Sequence, residues 1–211
     1  MPVTALRDER ALVLALRRRD ESAFEALVEQ YHVPLRRFAL TFVRSSAVAD
    51  EVVQETWLGV LRGIDRFEGR SSLKTWIFQI LTNTAKTRAE REGRTVPLSA
   101  LAGLEGDEPS VDPNRFLDEQ HERWPGHWAA PPSRWDELPE EALLGHETLA
   151  VLEQAIAALP DMQRRVIELR DVEGWTSQEV CDFLGLSEAN QRVLLHRARS
   201  KARAALEAHL A

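Results

Sequence analysis

The sequence predicts an all-α protein: two small helical domains joined by a long acidic, proline-rich linker, the second domain carrying a helix-turn-helix. Three observations predict it. Apolar residues recur at helical spacing over residues 5–92 and again from about 147 to the end; no stretch alternates with period two for long enough to suggest a sheet; and seven prolines fall between 95 and 145. The expected divisions are 1–94, 95–147 and 148–211.

Taken in order, Asp20 is placed to cap a helix running through Ala23, Phe24, Leu27 and Val28 towards Phe42, with a kink expected at Pro34. A second helix, Ala47 to Ile64, sets Val48, Val52, Val60 and Ile64 on one face. A third begins after Ser71, its expected N-cap, and runs to about Arg91 with Leu73, Ile77, Ile80, Leu81 and Thr84 turned to the core. The linker admits a short helix near 114–123, and Trp124, Trp128 and Trp135 set it apart from a plain tether.

Four helices fit the remainder, at about 147–158, 161–172, 177–184 and 188–208. Thr176-Ser177-Gln178-Glu179 reads as a capping box, in which Thr176 and Glu179 satisfy each other's backbone amides. Gly185-Leu186-Ser187 then makes the turn: the glycine takes a left-handed conformation, the leucine plugs the core and Ser187 caps the next helix. A short helix, a tight turn and a longer basic helix form the layout that sets a recognition helix in the major groove. Arg192, His196, Arg199 and Arg203 share one face of that helix, Leu195, Ala198, Ala202 and Leu206 the other. Asn190 and Gln191 are side chains suited to base edges.

Composition is that of an ordinary globular chain, 44% hydrophobic and 29% charged over 211 residues, and no apolar run approaches the roughly 20 residues of a membrane span. The N-terminus enters charged sequence without the apolar core of a signal peptide, so a cytoplasmic location and no membrane insertion are expected. The single Cys181 excludes an internal disulfide. The net charge of −7 argues against nucleic acid only until its distribution is read. Residues 1–94 hold 16 basic and 13 acidic side chains, 95–147 hold 3 and 12, and 148–211 hold 8 and 9. The acidity belongs to the linker, and local field governs contact with DNA.

On the second helix Asp50, Glu51, Gln54 and Glu55 lie opposite the valines. Such a face repels phosphate, which leaves a solvated surface or a dock for a basic partner. On the third, Ser72, Trp76, Gln79, Asn83 and Lys86 form a strip suited to stacking and holding single-stranded nucleic acid, unless Trp76 is simply core. Arg66, Arg70, Lys74, Arg88, Arg91 and Arg94 make the surroundings basic, and the Gly-Ser loop beside the strip offers room for a nucleotide turned out of a duplex. No nucleophile, metal set or phosphate-binding loop is evident, so no catalytic residue, metal or cofactor is expected; His121, His127 and His146 in the linker are weakly spaced for a metal.

These residues resemble a known family. Asp50-Glu51-Val52-Val53-Gln54-Glu55-Thr56-Trp57, followed by Phe67-x-Gly69-x-Ser71-x-Leu73-x-x-Trp76-Ile77-x-x-Ile80-x-x-Asn83, is similar to the second region of bacterial RNA polymerase sigma factors. Leu159-Pro160, Arg164 to Gly174, Glu179 to Ser187 and Leu195 to Arg199 resemble the fourth region. With these two regions alone, the chain resembles the extracytoplasmic-function (ECF) group. Thr87, Gln191 and Leu194 depart from the Asp, Val and Arg frequent there.

The resemblance implies that Asp50, Glu51, Gln54 and Glu55 dock on core RNA polymerase. It implies that Arg66, Arg70, Ser71, Ser72, Lys74, Trp76, Gln79, Asn83 and Lys86 melt and hold the −10 element of promoter DNA. It assigns the −35 element to Thr176, Ser187, Glu188, Asn190, Gln191, Arg192, His196, Arg197 and Arg199. The linker would thread into the polymerase cleft, and an anti-sigma factor would hold the protein inactive. The competing reading is a stand-alone regulator that uses the same helix-turn-helix and has no need of the acidic face.

Overall fold

The computed structural model describes residues 3–91 and 146–210, with side chains from 9 to 91 and from 147 to 210. The linker histidines and tryptophans, the short helix near 114–123, Arg94 and the side chain of His146 lie outside the described residues. The chain divides into two units, Met1–Val96 and Pro97–Ala211. Every described element is helical.

In the first unit, α1 (Val3–Arg17), α2 (Glu21–Ala39), α3 (Ser46–Gly63) and α4 (Leu73–Arg91) pack together, with a 3₁₀ turn at Ile64–Arg66 closing α3. Asp20 caps α2 as its position predicts, its Oδ1 accepting from the Ala23 amide at 3.0 Å. The helix continues through Pro34, as expected, and ends at Ala39, short of Phe42. Leu27, Leu35, Phe38, Val52, Val60, Ile77, Phe78 and Leu81 are almost completely buried and form the core. Truncating Phe78 to Ala would cost about 3–5 kcal/mol. Thr56 and Thr82 are buried too, and each donates its hydroxyl to the carbonyl four residues back, so neither leaves an orphan polar group.

Two expectations shift by about a residue in this unit. The cap of α4 is Ser72, whose Oγ accepts from the Thr75 amide at 3.1 Å, while Ser71 stays exposed. The core side of α4 is Leu73, Ile77, Phe78, Leu81, Thr82 and Ala85, with Ile80 and Thr84 only half-buried. Phe78 fills the core in place of Ile80, which packs instead on α3 at Gly59, where a Cβ would lie 2.8 Å from Ile80 Cγ2.

The second unit has α5 (His146–Ala157), α6 (Asp161–Ile167) running into a π turn (Glu168–Val172), α7 (Ser177–Leu184) and α8 (Glu188–Leu210). The long α8 packs across α5, α6 and α7. Val166, Leu169, Trp175, Val180, Leu195, Ala198 and Leu206 build the core, and the Trp175 ring meets Phe183 edge-on at 5.1 Å. The capping box is present: Thr176 Oγ1 accepts from the Glu179 amide at 3.2 Å, and Glu179 Oε2 accepts from the Thr176 amide at 2.8 Å. Gly185 adopts φ +69° and ψ +37°, the left-handed cap that glycine reaches without a Cβ penalty. Ser187 Oγ then accepts from the Asn190 amide at 3.2 Å and starts α8.

Candidate nucleic-acid interface

Three surfaces carry the residues singled out by the sequence. The first is the outer side of α3, where Glu51, Gln54, Glu55 and the 49%-exposed Leu58 face solvent and Asp50 is half-buried. Two of the carboxylates are already paired: Arg36 Nε donates to Asp50 Oδ1 at 2.6 Å, and Arg88 of α4 makes an ion pair with Glu51. The face is therefore less negative at Asp50 and Glu51 than its sequence implies. Leu58 adds an apolar patch that the charge pattern did not single out, although it stands four residues beyond Gln54 on the same face.

The second surface is the loop from Arg66 to Ser72 and the adjoining face of α4. Arg66, Arg70 and Ser71 are exposed, while Ser72, Lys74 and Trp76 are half-buried. Trp76 is neither core nor a free platform. Its ring lies 5.0 Å from that of Phe67 and backs onto Gly63, where a Cβ would come 3.0 Å from Trp76 Cζ2. A groove of about 260 Å³ is lined by Arg66, Phe67, Glu68, Arg70, Ser71 and Trp76, smaller than the clefts of about 300–1,000 Å³ that enclose whole small molecules. It suits a planar ring inserted from solvent, with Trp76 as one wall and guanidinium groups at the rim. Gln79, Asn83 and Lys86 continue outward along α4, Gln79 donating to Asn83 Oδ1 at 3.2 Å. Arg70 is paired with Glu68 at 2.5 Å, both exposed.

The third surface is the exposed side of the helix-turn-helix. Thr176, Ser187, Glu188, Arg192, His196 and Arg199 are exposed, and Asn190 and Arg197 are half-buried. Gln191 must leave this set. It is 1% exposed and its Oε1 accepts from Ser177 Oγ at 2.9 Å, so it ties α7 to α8 from within and offers nothing to a base. Leu194 is likewise buried. Arg192 pairs with Glu188 one turn back at 2.9 Å. Arg199 is held by both oxygens of Asp171, through Nε at 2.8 Å and Nη2 at 2.7 Å. That hydrogen bonding raises the Arg199 pKa above the ordinary arginine value, outweighing the opposing desolvation. The sequence reading passed over Val193, 46% exposed between Arg192 and His196, a side chain able to meet a thymine methyl group. Its helical spacing from Ala189 and His196 was the available signal.

Known families match both halves. Residues 27–95 fit sigma-70 region 2 and residues 149–201 fit sigma-70 region 4. A protein of Haemophilus influenzae named "Probable RNA polymerase sigma factor" is 30% identical over 174 residues, covering 82% of this chain and 84% of that protein. The chain belongs to the ECF RNA polymerase sigma factors. The ECF sigma factor SigG of Mycobacterium tuberculosis is 35% identical over 182 residues, 84% of this chain; the chain spans about half of that relative, 47% of its length. The ECF sigma-E factor of Escherichia coli is 27% identical over 90% of each. Two solved structures share the fold. CnrH in complex with the cytosolic domain of CnrY matches at TM-score 0.56 and 22% identity, over 95% of this chain and 97% of that one. RpoE with the anti-sigma factor NepR from Bartonella quintana matches at 0.54 and 21%, over 87% and 96%. No described helix of this sigma factor is long and apolar enough to cross a membrane.

Proposed function

We propose that this sigma factor binds core RNA polymerase in the cytoplasm and directs promoter-specific transcription initiation, without catalysis of its own. The observation that carries the reading is the pairing of two different DNA-suited surfaces in one chain: a stacking groove beside Trp76 and a basic recognition helix. A duplex reader needs only the second, whereas strand opening needs a place for an unpaired base. The groove and the strip Trp76, Gln79, Asn83 and Lys86 take the single strand of the −10 element, with Arg66, Arg70, Ser71, Ser72 and Lys74 at its edge. The side of α8 with Arg192, Val193, His196 and Arg199 faces the −35 duplex, with Thr176, Ser187, Glu188, Asn190 and Arg197 around it. The polymerase dock is the outer side of α3, where Gln54, Glu55 and Leu58 present the accessible surface beside Asp50 and Glu51. We further propose control by an anti-sigma factor, since the RpoE structure holds one.

Run-off transcription with purified chain and core polymerase tests this. Promoter-specific transcripts should require the chain, and Glu51→Lys with Glu55→Lys should abolish them together with co-elution on core. Specific promoter binding and regulation by the isolated chain, with no polymerase contact, would support the stand-alone regulator instead.

A further inference from the structure

Residues 67–72 link the end of the 3₁₀ turn to the start of α4, and they carry most of the groove beside Trp76. Hydrogen bonds from a distant helix hold both ends of this loop. Arg17, the last residue of α1, donates through Nη2 to the Phe67 carbonyl at 2.6 Å and through Nε to the Ile64 carbonyl at 3.2 Å. Glu9 of α1 accepts from the Leu73 amide at 3.1 Å, sharing the cap of α4 with Ser72. The Phe67 carbonyl just past one helix end and the Leu73 amide at the start of the next have no partner within their own helices, and α1 supplies both, while the Ile64 carbonyl also accepts from the Phe67 amide. Just beyond α1, Arg19 adds to the grip, donating to the Leu61 carbonyl at 2.5 Å and to Asp65 at 2.9 Å.

Glu9 and Arg17 stand eight residues apart on one continuous helix, so their Cα atoms are about 12 Å apart along its axis. A rigid element of set length therefore holds both loop ends. We propose that α1 is a strut for the strand-capturing loop, and that Glu9 and Arg17 are positioning residues that keep the groove beside Trp76 open before DNA arrives. The inference rests on the reading of that groove as the single-strand site. A loop already in its bound shape spares the ordering cost on binding, and that saving falls on strand opening alone, not on polymerase docking or duplex reading.

The test uses the full chain, core polymerase and a promoter recovered by run-off transcription of genomic fragments with the wild-type protein. Permanganate attack on unpaired thymines reads opening. Glu9→Ala and Arg17→Ala should each lower the equilibrium for opening about tenfold, the worth of one charge-assisted bond, with core binding unchanged. Glu9→Gln keeps an acceptor oxygen and should restore opening. Arg17→Lys keeps the charge without the grip on two carbonyls and should not. Hydrogen exchange of amides 67–73 in the free chain should quicken in the Ala variants and recover in Glu9→Gln.

Variants that open the promoter like wild type, or that lose core binding in step with opening, overturn the strut. Should an Ala variant fail to fold, the Gln and Lys variants decide: full opening by Arg17→Lys, or none by Glu9→Gln, overturns it. A wild-type chain that opens no promoter defeats the functional reading instead, and the exchange measurement still judges the strut.

Discussion

Arg199 of the recognition helix is gripped by both carboxylate oxygens of Asp171, a residue of the π turn that ends α6. The pair joins two elements of the second unit and occupies a guanidinium on the side of α8 proposed to meet DNA. An exposed ion pair is worth at most about 1 kcal/mol after solvent screening, so its main consequence is for phosphate, which must compete with Asp171 for Arg199.

Asp171→Asn should therefore tighten binding to −35 duplex and steepen the slope of log K against log salt by about 0.9, one additional phosphate contact. A salt titration by fluorescence anisotropy measures both. Weaker binding would mean that Asp171 aims Arg199 at the DNA.

Gln191→Leu should leave promoter choice unchanged, because the side chain is sealed between α7 and α8 with its Nε2 unpartnered. Its unfolding free energy should stay within about 1 kcal/mol of wild type, since the lost Ser177 bond is offset by removal of a buried polar group. Gln191→Glu buries a charge and should cost several times more. Asn190→Ala and Val193→Ala should instead alter sequence preference in a selection from randomised −35 elements.

Gly59→Ala should lower the stability of the first unit by about 1 kcal/mol. The methyl group meets Ile80 Cγ2, and the overpacking cost exceeds the gain from replacing a helical glycine. In an Ile80→Ala background the clash is gone, and the same substitution should be neutral or stabilising. Urea unfolding of the four chains completes the cycle.

Arg165 is buried in α6, and desolvation pushes its pKa down to about 10 against the opposing pull of Asp161. The unfolded chain thus binds more protons than the folded one between about 10 and the ordinary arginine value. Stability carries the full cost of the buried charge below about pH 10 and recovers it as the pH rises through that window. Arg165→Met should raise the unfolding free energy at pH 7 by up to about 2 kcal/mol, seen as a higher urea midpoint, and abolish the alkaline recovery. A lower midpoint would show that the hydrogen bonds of Arg165 outweigh its desolvation.

The sequence by itself determined where the helices of both units lie and several of their caps, though the cap of α4 fell at Ser72 and not Ser71. Asp20 with Ala23, Thr176 with Glu179 and the left-handed Gly185 are interactions within a few residues, so residue type and spacing suffice to predict them. It also determined the family, because both region signatures are local motifs. Which side chains of a polar stripe remain available to a partner was decided only by tertiary structure. Gln191 is taken by Ser177 14 residues away, Arg199 by Asp171 28 away, and the groove loop by Arg17 and Glu9 50 and 64 away. The physical reason is that a cap is set by backbone geometry along the chain, whereas a long side chain bonds to whatever packing brings within about 3 Å.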